Sequence, residues 1–209
     1  MGEVVGMAAS ICKEQNCQPR AVYTDHLEAL QSLMREGVAP PPPGKENAAK
    51  ALEIPDWMHN AGRNLASLPG VRVTASSEHA SELYPATLAV DGRAEITDNT
   101  SRWVSGVSET QHWFQITWLE PVELNTMRAI TGQAGGADGP KTPIRNSVLQ
   151  YDADGNGTWI DIPETRTVDN TSVVILKRFP TIHAKSVRLW IPDVSEIARL
   201  WEVELFHCP

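Results

Sequence analysis

Two different periods of apolar and polar residues divide this chain. In the first 37 residues the period is helical. "MGEVVGMAASICKEQNC" has small residues at Gly2, Gly6, Ala8 and Ala9 and apolar ones at Val4, Val5, Met7 and Ile11. Apolar character on most sides predicts a buried helix, ending near Asn16. Leu27, Leu30 and Met34 then form a stripe at helical spacing. They predict a second helix from an N-cap at Thr24 to Glu36, with Gly37 as its C′ residue. From about Arg63 onward the period becomes two. "SVRLWI" at 186–191 and "WEVELF" at 201–206 alternate as half-buried strands do. Short β-branched and aromatic runs, separated by Gly, Pro, Asp and Asn, predict strands near 71–76, 84–90, 111–118, 121–131, 145–151, 158–162, 172–179, 184–191 and 201–206. Asp154-Gly155 marks a hairpin turn between two of them. Eight or so short strands with almost no helix predict a mainly β fold, an antiparallel sandwich of the jelly-roll sort. The short α-helical segment precedes it.

Between the two regions lies "APPPPG" at 39–44, whose prolines favour stiff polyproline II. "KENAAKALEIPDWMHNAGRN" follows, with room for one short helical turn. The predicted organisation is a helical segment over 1–39, a Pro-rich linker over 40–62 and a β-sandwich over 63–209.

Composition narrows the partners. The 209 residues carry a formal net charge of −8, which argues against nucleic acid and its demand for a basic surface. No stretch approaches the roughly 18 consecutive apolar residues of a membrane span, and no signal peptide is visible. The three cysteines are too few for a disulfide scaffold. Cys12 and Cys17 either pair or stand as separate thiols. Tryptophan is abundant, seven against three Phe and three Tyr, a residue that anchors sandwich cores or stacks on ligand rings.

Catalytic patterns are missing. There is no Gly-x-Ser-x-Gly elbow, His-Glu-x-x-His pair or phosphate loop. The histidines at 26, 59, 79, 112, 183 and 207 never fall at i,i+2 or i,i+4 of one another. Asp152/Asp154 and Glu202/Glu204 are neighbours that strand alternation alone would place on one face. "DADGNG" at 152–157 imitates the start of an EF-hand loop, but the position that needs a bidentate Glu is Pro163. It reads as a hairpin turn. Asn99, Asn156 and Asn170 head glycosylation triplets, which matter only in a secreted protein.

Six pieces occur in order: "NLASLPGVRVTASS", "YPATLAVDGR", "SRWVS", "HWFQITWLEPVEL", "VLQYDADGNGTWIDI" and "SVRLWI…ARLWEVELF". Together they closely resemble the discoidin fold, or coagulation-factor type C domain, whose bacterial members include family 32 carbohydrate-binding modules. The resemblance covers nearly all of 63–207. It implies an eight-stranded jelly roll without catalytic activity, a ligand site on loops at one end and a structural calcium ion nearby. The cation ligands it implies are Asp91, Ser101 and Glu202, completed by backbone carbonyls. The segment 91–103 is longer than the common version, so Asp98 or Asn99 stand as substitutes for Ser101. A hard cation of this kind takes about six to eight oxygens, which a folded loop supplies readily. The histidine that several members carry after the Arg-Trp pair is here Val104. The candidates for the sugar site are therefore Glu78, His79, Gln133 and Arg145. Trp103 and Trp113 occupy family core positions, and Trp57 in the linker is placed to cover the domain surface.

The first 38 residues resemble something else. "GEVVGMAAS", the "NCQPR" turn and "LEALQSLMREG" resemble the closing piece of bacterial FAD-dependent oxidoreductases. The dinucleotide fingerprint is absent, so no FAD is expected on this chain. The implied function is a non-catalytic carbohydrate-binding module that tethers a parent flavoenzyme to a glycan. The alternative is an accessory domain that docks on its own catalytic domain and reads no sugar. Expected partners are a glycan, the parent flavin domain and, through the N-terminal helices, a second copy. Neither nucleic acid nor membrane is expected, and the parent would be secreted or periplasmic.

Overall fold

The computed structural model describes residues 2–36, 53–94, 96, 99–107, 111–135, 141–192 and 197–209. Gly37, Asp98 and the prolines at 40–43 lie outside the described residues. The chain forms two compact units, Met1–Glu46 and Asn47–Pro209.

In the first unit, α1 spans Gly2–Glu14, α2 Pro19–Asp25 and α3 Leu27–Glu36. Asn16 takes a positive φ of 48° just past α1, and the Cys17 amide closes back on the Cys12 carbonyl at 3.0 Å. That left-handed cap ends the helix where the sequence places its end. The single second helix is corrected to two. Pro19 opens α2, as proline does at a first helical position. Thr24 lies inside that helix, with its hydroxyl turned back to the Ala21 carbonyl, so it caps nothing. Met7, Ile11 and Val22 are buried where α1 meets α2 and α3, while Val5 and Tyr23 are exposed.

The second unit is an antiparallel sandwich built on two long bent strands. Its strands are β1 (Arg72–Ala75), β2 (Trp103–Val104), β3 (His112–Thr131), β4 (Val148–Asp152), β5 (Ile160–Asp161), β6 (Val174–Ile191) and β7 (Arg199–Phe206). The predicted strands 111–118 and 121–131 are the two halves of β3, and 172–179 and 184–191 the two halves of β6. Register shifts between Thr117 and Val122, and between Leu124 and Thr126, bend β3. Its first half therefore pairs with β1, its second half with β7, and β6 follows along the other edge. One layer reads β1-β3-β6-β4-β5, and the other β2-β7-β3-β6. Two mergers and the loss of 84–90 leave six of the nine predicted strands, and the unpredicted β2 makes seven among the described residues. The predicted strand at 84–90 is corrected to a 3-10 helix, Ala86–Val90, whose Ala86 and Ala89 enter the core.

Inward positions of both layers close a core around Trp103, Phe114, Leu124, Met127, Leu189 and Leu200. Three buried indole N–H groups each donate to a carbonyl: Trp103 to Ser77, Trp118 to Leu65 and Trp201 to Gly132. Unpaired, each would cost a few kcal/mol. Trp113 departs from its expected core role. It lies on the outward row of β3 with Gln115 and Thr117, half-buried, beside Trp190 of β6. The end of the predicted linker is likewise part of the sandwich. Met58 and Ala61 pack with Phe206 and Cys208, and Trp57 lies 4.9 Å from the Arg178 guanidinium.

Candidate functional site

At one end of the sandwich the loop after β1 is held by its own backbone. The His79 amide donates to the Val104 carbonyl at 2.8 Å, and the Gly106 amide to the Ser77 hydroxyl at 2.9 Å. Val104 itself is buried, so the position cannot offer a side chain to a ligand. Glu78 Oε1 accepts from the Ala86 amide at 2.6 Å. The exposed His79 ring stacks on Tyr84 with centroids 6.2 Å apart. An acid, an imidazole and a phenol ring therefore share one exposed loop.

The other two sugar candidates sit elsewhere. Gln133 forms a two-way backbone bridge with Lys141, both bonds 2.9 Å. Gly132 opens this hairpin at a φ of 91°, and a Cβ there would lie 2.4 Å from the Lys141 carbonyl oxygen, so only glycine fits. Arg145 is paired with Asp169 at 2.7 Å. The cavity beside Arg145 measures only about 10 Å³, room for a water and no more. The geometry joins Glu78 to His79 and leaves Gln133 and Arg145 in structural bonds of their own.

Asp91 and Glu202 do come together. The 3-10 helix Ala86–Val90 delivers Asp91, and Gly92, at a φ of 82°, turns its amide onto Glu202 Oε2 at 3.2 Å. Asp91 Oδ1 accepts the Arg93 amide at 2.9 Å, so it also caps the turn. Glu202 is only 1% exposed, and its Oε1 has no hydrogen-bond partner. Burial, then the neighbouring Glu204 charge, push its carboxyl up to about 8 from 4.5, with Asp91 adding to the rise. Ser101 is half-buried and makes no bond to either acid. The Asn99 side chain exchanges bonds with the backbone of Ala134 instead. Among the described residues no three His, Cys, Asp or Glu side chains cluster for a metal. A cation here would lean on backbone carbonyls.

The EF-hand imitation is a turn folded around its own first residue. Buried Asp152 accepts four backbone amides, those of Asp154, Gly155, Asn156 and Gly157, at 2.7–3.3 Å.

One feature was not anticipated from the sequence. On the outer face of β4, β5 and β6, Arg188 lies between two indoles, 4.2 Å from the Trp159 ring and 4.7 Å from that of Trp190. Its Nε donates to Gln150 Oε1 at 2.6 Å. Gln150 Nε2 donates to Asp161 Oδ1 at 2.7 Å, and Arg166 donates to Asp161 Oδ2 at 2.7 Å. A cleft of about 310 Å³ opens beside this chain of bonds. The signal was present in the alternation of "SVRLWI", which puts Arg188 and Trp190 on one face.

A family model described as the F5/8 type C domain matches residues 72–203. The chain belongs to the F5/8 type C domain family. Among curated proteins none matches it significantly. Solved structures with the same fold include chitosan-binding module 1 from a Paenibacillus chitosanase/glucanase. That module is 21% identical over 69% of this chain and 98% of its own, with a TM-score of 0.55. CpGH89CBM32-5 from Clostridium perfringens, solved with GalNAc-β-1,3-galactose, is 22% identical over 65% of this chain and 94% of its own, TM-score 0.53. The family 32 module of C. perfringens NanJ, solved with galactose, is 20% identical over 66% and 93%, TM-score 0.51. At these identities the likeness establishes the F5/8 type C fold. Among the described residues no helix is long and apolar enough to cross a membrane.

Proposed function

We propose that the sandwich is a non-catalytic carbohydrate-binding module that uses the loop after β1 to bind a galactose-type sugar. One observation carries this reading: Glu78, His79 and Tyr84 stand together on an exposed loop next to the core Trp103. A carboxylate and an imidazole match vicinal hydroxyls, and an aromatic ring matches the apolar face of a pyranose. Membership of the F5/8 type C family supports it, as does the fold shared with modules solved on galactose and GalNAc-β-1,3-galactose.

A calcium ion is proposed at Asp91 and Glu202. The unpartnered, buried Oε1 of Glu202 and the second acid beside it fit a hard cation, with backbone carbonyls completing its shell. The ion would supply the positive charge that lets Glu202 ionise in the fold, and would hold the loop against β7.

The tether belongs to the same proposal. The first 38 residues, with their resemblance to an FAD-oxidoreductase tail, would bring a secreted or periplasmic flavoenzyme to the glycan and raise local substrate concentration. The buried Val104 favours a second reading, in which the module docks on its parent enzyme and reads no sugar.

Calorimetry of the full chain in calcium, against galactose and GalNAc-β-1,3-galactose, tests the first reading. Saturable binding is expected, with the loop-site contribution lost in E78A and H79A. Silence toward every galactose-, glucosamine- and uronate-containing glycan would sink it and leave docking.

A further inference from the structure

The outer face of β4, β5 and β6 holds a second concave feature, away from the loop after β1. Its cavity of about 310 Å³ is bounded by Trp190, Gln150, Asp161, Arg166, Thr167 and Pro192. That volume falls at the lower end of the range for small-ligand sites.

Its side chains are fixed before any ligand arrives. Arg188 is clamped between the Trp159 and Trp190 rings and bonded to Gln150. Gln150 in turn holds Asp161, which Arg166 grips from the other side. A chain of bonds from the sheet to the cleft wall freezes rotamers that binding would otherwise have to order.

The chemistry of the wall selects the ligand. Trp190, Pro192 and Val168 present apolar surface to the cleft, and a carboxylate, a guanidinium, an amide and a hydroxyl present polar groups. A purely apolar ligand would strip water from those polar groups without repaying it. Asp161 and Arg166 pair at 2.7 Å, and the Arg188 cation is set back between two indoles behind Gln150. Asp161 and Arg166 remain partly exposed, at 39% and 56% of their side-chain surface, and keep bonding capacity beyond their mutual contact. A ring with one C–H face and a rim of donor–acceptor hydroxyls matches both kinds of lining.

We propose that this cleft binds one pyranose ring of a neutral sugar, stacked on Trp190 with its hydroxyls bonded to Asp161 and Arg166. The site is separate from Glu78 and His79 and makes the module bivalent toward a glycan. Two sites on one module would raise avidity for an extended chain without tightening either contact.

The test is an indole N–H titration by NMR on the full chain, with galactose, N-acetylgalactosamine, glucose and N-acetylglucosamine as probes. It is run in the E78A/H79A background, which removes the loop contacts. Saturable shifts of the Trp159 and Trp190 signals are expected there. Arg166→Ala and Asp161→Asn should each weaken that binding about tenfold, close to 1.4 kcal/mol. Asp161→Asn keeps side-chain volume and guards against a folding defect in R166A. The proposal is overturned if no probe moves the two signals, if the shifts vanish in the E78A/H79A background, or if both cleft variants bind as tightly as their parent. The loop-site reading stands or falls separately, on whether the calorimetric stoichiometry drops from the unsubstituted chain to E78A/H79A.

Discussion

Glu202 is buried, and one of its carboxyl oxygens has no hydrogen-bond partner. Its carboxyl is pushed from 4.5 up to about 8, chiefly because burial denies the anion water, with Glu204 and Asp91 adding like charge. In the cation-free protein the folded state keeps a proton that the unfolded chain releases above about pH 4.5. Below that pH both states are protonated and the group has no effect on stability. As pH rises from 4.5 toward 8 the folded state is progressively disfavoured, and above 8 the penalty is constant. Thermal melts in EDTA should therefore show Tm falling across this window. If calcium occupies the proposed site it should flatten the fall, because a cation favours the ionised carboxylate. Glu202→Gln should remove the window, abolish the calcium effect and melt above the parent at pH 8 in EDTA. An unchanged pH profile in E202Q would show that the group does not govern it.

At the scale of elements, the β4–β5 turn rests on a single carboxylate. Asp152 is buried, and its two oxygens take four amides of the turn. Asp152→Ala would leave those donors unpaired, an expected loss of about 2–4 kcal/mol. Urea unfolding should show it as a lower midpoint at unchanged slope, and a loss under 0.5 kcal/mol, roughly the noise of a surface change, would refute the account. The hairpin was legible because Asp-Gly punctuation and the failing EF-hand position at Pro163 are local. Period-two alternation likewise located the second half of β6 and β7. What sequence concealed is non-local. "YPATLAV" has strand-like residues, yet Ala86 and Ala89 are buried in a 3-10 helix because tertiary packing claims them. The continuity of β3 through Pro121 depends on register shifts that no short window displays. The same holds for the sites. Glu78 and His79 are adjacent in the chain and stay together, while the Arg188–Gln150–Asp161–Arg166 chain gathers residues from four segments that only the fold aligns.

For the whole molecule, the decisive boundary is where the sandwich begins. A composition change near Arg63 marks the first strand-like residues, but the cooperative unit reaches further back, to Asn47. The reason is the small apolar cluster under the 3-10 helix Asp56–Asn60. Met58 is 6% exposed and Ala61 3%, both against Phe206 and the buried Cys208. Asn125 pins that C-terminal strand end by exchanging bonds with Cys208, at 2.6 and 2.8 Å. Cutting the chain at residue 63 would expose this cluster and remove the Trp57 ring from Arg178. Burial of one methionine is worth about 2 kcal/mol, and the cavity and ring contact add to it. For a domain of this size each kcal/mol moves Tm by about 2–4 °C. Residues 47–209 should therefore melt with the sandwich transition of the full chain, and residues 63–209 at least about 5 °C lower. Differential scanning calorimetry of the three lengths decides it. Equal Tm for 47–209 and 63–209 would return residues 47–62 to the linker. The lower value instead assigns them to the module.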